Sequence, residues 1–75
     1  MINFVLFGAG RIGKFHANTI NQNYKTNLLS VYDVNKKAAI NLAKKYNAKV
    51  VDSPIEALKE KKIDAVLIAS STDTH

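Results

Sequence analysis

All three glycines of this chain fall in one stretch, Gly8-Ala9-Gly10-Arg11-Ile12-Gly13, spaced as G-x-G-x-x-G. The motif directly follows the apolar run Ile2-Asn3-Phe4-Val5-Leu6-Phe7 and opens a segment of helical periodicity. In that context each glycine has a physical task. Gly8 lets the chain turn sharply, and Gly10 carries no Cβ to block a diphosphate from the backbone. Gly13 allows the following helix to pack closely. Free N–H groups around Arg11 and Ile12 would then face the phosphates, reinforced by the partial positive charge of the helix N-terminus. Asp33 lies twenty residues beyond Gly13, at the end of the next apolar run. A carboxylate there accepts hydrogen bonds from ribose hydroxyls and repels a 2′-phosphate, so NAD is favoured over NADP. Lys36 and Lys37, just beyond, would soften that preference. The competing reading is an ordinary strand–helix turn with a surface acid after it, which would not require three glycines at these offsets.

Positioning these residues calls for alternating strands and helices. Residues 2–7 predict a strand buried on both faces, as in a parallel sheet. Residues 11–22 predict a helix, with Ile12, Phe15 or His16, Thr19 and Ile20 at helical spacing. Leu28 to Tyr32 predicts a second strand. Asn35 is a suitable N-cap for a second helix whose inner face is Ala39, Leu42, Ala43 and Tyr46, with Asn47 as its stop. Ala48 to Val51 predicts a short strand. Ser53-Pro54-Ile55-Glu56 combines a capping serine, a proline at the first helical position and a glutamate placed to close a capping box. Asp64 to Ala69 is the last strand. The fold class is therefore α/β: a partial Rossmann fold, βαβαβαβ, with parallel sheet order 3-2-1-4. The first two crossovers share one face and the third takes the other.

Composition narrows the function classes. The 75 residues include no cysteine, which excludes a thiolate metal site and a cysteine nucleophile, and two histidines are too few for a metal cage. No apolar run approaches a membrane span, and no signal peptide precedes Ile2, so a cytoplasmic protein is expected. The formal charge of +5 raises nucleic acid as a partner. Against it stand a single arginine and the lack of aromatic residues among the lysine pairs Lys36-Lys37, Lys44-Lys45 and Lys61-Lys62, which read instead as solvated faces.

Three stretches together resemble a known family: Phe7 to Ala17 around the glycine loop, Val31-Tyr32-Asp33, and Asp64 to His75. The chain resembles the N-terminal part of the glucose–fructose oxidoreductase/inositol dehydrogenase family (Gfo/Idh/MocA), and within it the inositol dehydrogenase-type members. The resemblance implies cofactor contacts by Ala69, Ser70, Thr72 and His75 near the nicotinamide half. There Ser70 and Ser71 replace the family's usual threonine-proline, while Thr72 and His75 keep their places. It places His16 on the first helix in a packing role. It also implies a dehydrogenase acting on polyol or sugar CH–OH groups, with a second domain for substrate and a catalytic lysine in a glutamate-lysine-proline motif. No lysine follows Lys62, and Pro54 is the only proline. Residues 1–75 are thus expected to form an incomplete dinucleotide-binding domain, inactive alone, without the substrate domain. Strand 64–69 would then be an open edge that pairs with another copy. Three readings stay open: the cofactor-binding part of an oxidoreductase, a small self-associating nucleotide-binding module, or a basic interaction domain with a relic glycine loop.

Overall fold

The computed structural model describes residues 1–69. In chain order these form β1 (Ile2–Phe7), α1 (Arg11–Gln22), β2 (Thr26–Tyr32), α2 (Lys36–Tyr46), β3 (Lys49–Val50), α3 (Pro54–Leu58) and β4 (Ala65–Ile68). The strands are all parallel in one sheet of order β3-β2-β1-β4. This is the expected α/β architecture. Among the described residues no helix is long and apolar enough to cross a membrane.

Element boundaries differ from the sequence expectation where side chains bond locally. β2 starts at Thr26 rather than Leu28 because the turn after α1 anchors it. Thr26 Oγ1 donates to the Ile20 carbonyl at 2.7 Å, and the Lys25 N–H donates to Asn23 Oδ1 at 2.9 Å. β3 shrinks to two residues, which pair only with Ser30 and Val31. β4 is shorter than residues 64–69, although Asp64 N–H to Asn3 O (2.9 Å) and Ala69 N–H to Phe7 O (2.7 Å) flank it.

β1 is less apolar in role than its composition suggests. Val5 and Leu6 are fully buried, but Ile2 is exposed and Asn3 ties β1 to β2 and to the segment that leads into β4. The Asn3 N–H donates to Asp64 Oδ2 (2.8 Å), its amide donates to the Lys62 carbonyl (3.1 Å), and its Oδ1 accepts from Asn27 (3.1 Å).

The main core lies between the sheet and the α1/α2 layer. Leu6, Leu28 and Val31 meet Ala17, Ile20, Ala39, Leu42 and Ala43, with Tyr46 half-buried at the margin. The inner stripe of α1 is Gly13, Ala17 and Ile20. Ile12 and Phe15 stand 57% and 67% exposed, contrary to the expected register, and His16 is half-buried with its ring edge-on to Phe15. The cause is steric: the first turns of the helix approach the sheet so closely that only Gly13 and Ala17 fit there, and small residues carry little hydrophobic signal.

Caps follow the sequence closely. Asn35 Oδ1 accepts from Ala38 N–H at 3.2 Å, and Asn47 ends α2 in the left-handed region at φ 59°. Ser53 Oγ accepts from Glu56 N–H at 3.1 Å. The glutamate does not return to the serine N–H, however. Its Oε1 accepts from the Asp52 N–H at 3.3 Å, one residue earlier than a capping box requires.

Side chains alternate along a strand, and an irregularity in β2 between Leu28 and Ser30 shifts that alternation, so Val5, Ser30 and Tyr32 face away from the α1/α2 core. There Phe7 and Tyr32 meet edge-on at 6.0 Å, and α3 packs against β2 with Ala57 fully buried. α3 thus takes the opposite face, as the topology requires.

Candidate functional site

The site forms at the C-terminal ends of β1, β2 and β4, where open α/β sheets present their loops. The turn after β1 needs glycine at its first position: Gly8 has φ 113°, a region L side chains rarely adopt. Its N–H donates to the Tyr32 carbonyl at 2.7 Å, carrying the sheet ladder one residue beyond β1. Gly10 is the N-cap of α1, in extended conformation and with no side chain to satisfy the first turn. The first intrahelical bond runs from Lys14 N–H to the Gly10 carbonyl at 2.9 Å, leaving the N–H groups of Arg11, Ile12 and Gly13 available to an acceptor.

Gly10 and Gly13 are glycines for opposite reasons. A Cβ on Gly10 would meet nothing within 4 Å, so the space over the turn is open. A Cβ on Gly13 would fall onto the Gly8 carbonyl oxygen and within 2.8 Å of its carbon. The close helix–strand packing assigned to Gly13 from sequence is therefore a contact with the glycine turn itself.

Asp33 is half-buried and aimed at that turn. Its Oδ2 accepts from Ala9 N–H at 2.6 Å and its Oδ1 from Asn35 N–H at 2.8 Å. One carboxylate thus joins the glycine turn to the start of α2. The first bond is short, as charge-assisted bonds are. A carboxylate has about four lone-pair sites, so each oxygen keeps capacity for a further donor.

Two recesses flank Asp33. One, of about 260 Å³, is lined by Phe7, Gly8, Tyr32, Asp33, Val34 and Ile68. The other, of about 270 Å³, lies between Asp33, Lys36 and Asp52. In the second, Lys36 Nζ pairs with Asp52 Oδ1 at 2.8 Å. The hydrogen bond to Asp52, and then its charge, raise the lysine pKa above its usual value. Sequence reasoning did not single out Phe7, Tyr32, Val34, Ile68 or Asp52. The first four could have been found as strand-end residues beside the motif; Asp52 carried no signal, because its partner lies sixteen residues away across a crossover.

Of the other expected site residues, Arg11 and Ile12 begin α1 with exposed side chains. Ala69 is buried at the end of β4, bonded to Phe7. Ser70, Thr72 and His75 lie outside the described residues.

The geometry suits a dinucleotide. Among the described residues nothing lies within 4 Å of a Cβ at Gly10, the first turn of α1 holds no acidic residue to oppose phosphate, and a carboxylate stands beside it.

The comparisons with known proteins agree. Residues 2–75 match the family model for the Gfo/Idh/MocA oxidoreductase family, NAD-binding Rossmann fold. Inositol 2-dehydrogenase of Rhizobium meliloti is 43% identical over 76 residues, covering 99% of this chain and 22% of that protein. A myo-inositol dehydrogenase structure from Corynebacterium glutamicum superposes with a TM-score of 0.90 at 39% identity, over 100% of this chain and 22% of that one. GenD2 from gentamicin A biosynthesis, solved with NAD, gives a TM-score of 0.91 at 26% identity, over 99% of this chain and 21% of its own. The chain therefore spans under a quarter of the length of these relatives. Sequence, sheet order and glycine turn converge: the chain belongs to the Gfo/Idh/MocA oxidoreductase family and carries its NAD-binding Rossmann portion.

Proposed function

We propose that this chain holds NAD through Gly8, Gly10, Arg11, Ile12, Gly13 and Asp33, as the cofactor-binding part of a dehydrogenase acting on a polyol or sugar, of inositol type. The observation that carries this reading is the Asp33–Ala9 bond at 2.6 Å, which joins the ribose acceptor and the diphosphate cradle in one corner before any ligand arrives. The backbone N–H groups of Arg11, Ile12 and Gly13 would take phosphate oxygens, and the free lone pairs of Asp33 the adenosine ribose hydroxyls. Ala69, Ser70, Thr72 and His75 would border the nicotinamide half, by family resemblance. NAD supplies a hydride acceptor when bound. The substrate class is inferred from the 43% identity to inositol 2-dehydrogenase. None of the residues assigned here takes the proton from a hydroxyl substrate. Residues 1–75 act in this reading as the dinucleotide-binding portion that orients the cofactor.

Amide shifts during an NAD titration test this. Shifts concentrated at Gly10, Arg11 and Asp33 are expected. A titration that leaves them unmoved while NAD is saturating refutes the assignment.

A second reading, self-association, rests on β4. Among the described residues it is the edge strand of the sheet, and Val66 and Ile68 stand 40% and 70% exposed on the α3 side, while Leu67 packs on the core. An open apolar edge pairs readily with another copy. Light scattering across a concentration series is expected to give a dimer or larger assembly, and Ile68→Lys to shift it towards monomer with unchanged circular dichroism. Monomer at every concentration rules this out.

A further inference from the structure

We propose that Asp52 is a specificity-determining residue for the cofactor: it ties down Lys36, the lysine that borders the place a 2′-phosphate would occupy. This rests on the NAD reading above and concerns a residue that does not itself touch NAD.

With a ribose held on Asp33, a phosphate on its 2′ oxygen enters the space beside that carboxylate. The recess there is shared by Asp33, Lys36 and Asp52, and Lys37 does not line it. Its charge is one ammonium against two carboxylates, which already disfavours a dianion. The ammonium that could offset this is engaged by Asp52 at 2.8 Å. The pairing is built in from both sides. Lys36 is the first residue of α2, placed by the Asn35 cap that Asp33 itself holds at 2.8 Å. Asp52 immediately precedes the Ser53 cap of α3, and its N–H is held by Glu56 Oε1 at 3.3 Å. Glu56 also adds to the negative field at Lys36. Lys36 therefore stays charged throughout the neutral range, and its availability depends on the partner rather than on pH.

The pair is solvent-facing, with side chains 66% and 65% exposed, so its effect is a bias and not a lock. Replacing Asp52 with asparagine removes one carboxylate from the recess and frees the ammonium. It leaves the backbone bond to Glu56 and the Ser53 cap in place, so the fold is retained.

The test measures NAD and NADP dissociation constants for the unaltered chain, Asp52→Asn, Lys36→Met and the double variant at fixed low salt. Asp52→Asn is expected to raise the ratio of NADP to NAD affinity by about 2- to 5-fold, the order that one exposed charge pair supplies at low ionic strength. In the Lys36→Met background the same change is expected to give a smaller gain, since it then only relieves repulsion. An unchanged ratio in Asp52→Asn overturns the inference. So does a gain undiminished by loss of Lys36, since Asp52 would then act by repulsion alone. If the unaltered chain binds NAD and the ratio does not move, only this inference falls. If it binds no NAD, the reading of the site falls and takes this inference with it.

Discussion

Gly13→Ala is expected to remove more than half of the chain's stability, although it adds a single methyl group to a helix. Alanine is the better helix former, and in an open helix the change would stabilise. Here the methyl meets the Gly8 carbonyl, a backbone group already committed to a turn at φ 113°. Neither partner is the end of a flexible side chain, so α1 must move off the sheet and uncover Leu6 and Ala17. Overpacking of this kind costs about 3 kcal/mol or more when backbone cannot yield. A domain of this size has on the order of 5 kcal/mol in total. Thermal melts are expected to show Tm falling by about 12 °C or more, at the several degrees per kcal/mol typical of small domains. Gly10→Ala provides the contrast. Its Cβ meets nothing and its φ of −80° suits alanine, so Tm is expected to hold within a few degrees. The methyl would instead occupy the approach to the first-turn N–H groups, and NAD affinity should fall roughly tenfold or more. Equal Tm values for the two variants would contradict this division of labour.

Asp33→Ala should lose both stability and cofactor binding. The carboxylate accepts from Ala9 and Asn35 N–H groups, one of them at a buried residue. Removing it leaves two donors without their acceptor and frees the glycine turn from the start of α2. Bonds to a charged acceptor contribute more than neutral ones, so the cost in urea unfolding is expected to be about 2–3 kcal/mol. Asp33→Asn keeps one acceptor oxygen and should cost about half as much. Both variants are expected to bind NAD more weakly, because the ribose acceptor and the shape of the turn go together. An Asp33→Ala chain as stable as the parent would show that the carboxylate serves the ligand alone.

The fold was legible because its signals are local. The four apolar runs, the glycine turn, the Asn35 and Ser53 caps and the Asn47 stop each act within a few residues. Together they prescribe strand, helix and boundary without reference to the rest of the chain. Asp33 was legible for a related reason: a dinucleotide site needs an acid at the end of the second strand, and that strand is easily recognised. Less of the site's detail could be read. That Asp33 also anchors the glycine turn depends on how β1 and β2 lie side by side. Period-2 patterning left Val66 with Ile68, or Ala65 with Leu67, equally able to face the core; the register with β1 turns Leu67 inward and leaves Val66 and Ile68 bare.

The amino-acid order alone determined the alternation of elements, the parallel sheet, the diphosphate-type turn and its acidic companion, because periodicity, capping and glycine conformation are properties of short segments. Tertiary structure decided the inward stripe of α1, the clamp at Asn3 and the Lys36–Asp52 pair. Each of these depends on the distance between two backbones. That distance is set by how closely a glycine- and alanine-faced helix settles on the sheet, and by where the crossover loops then come to rest.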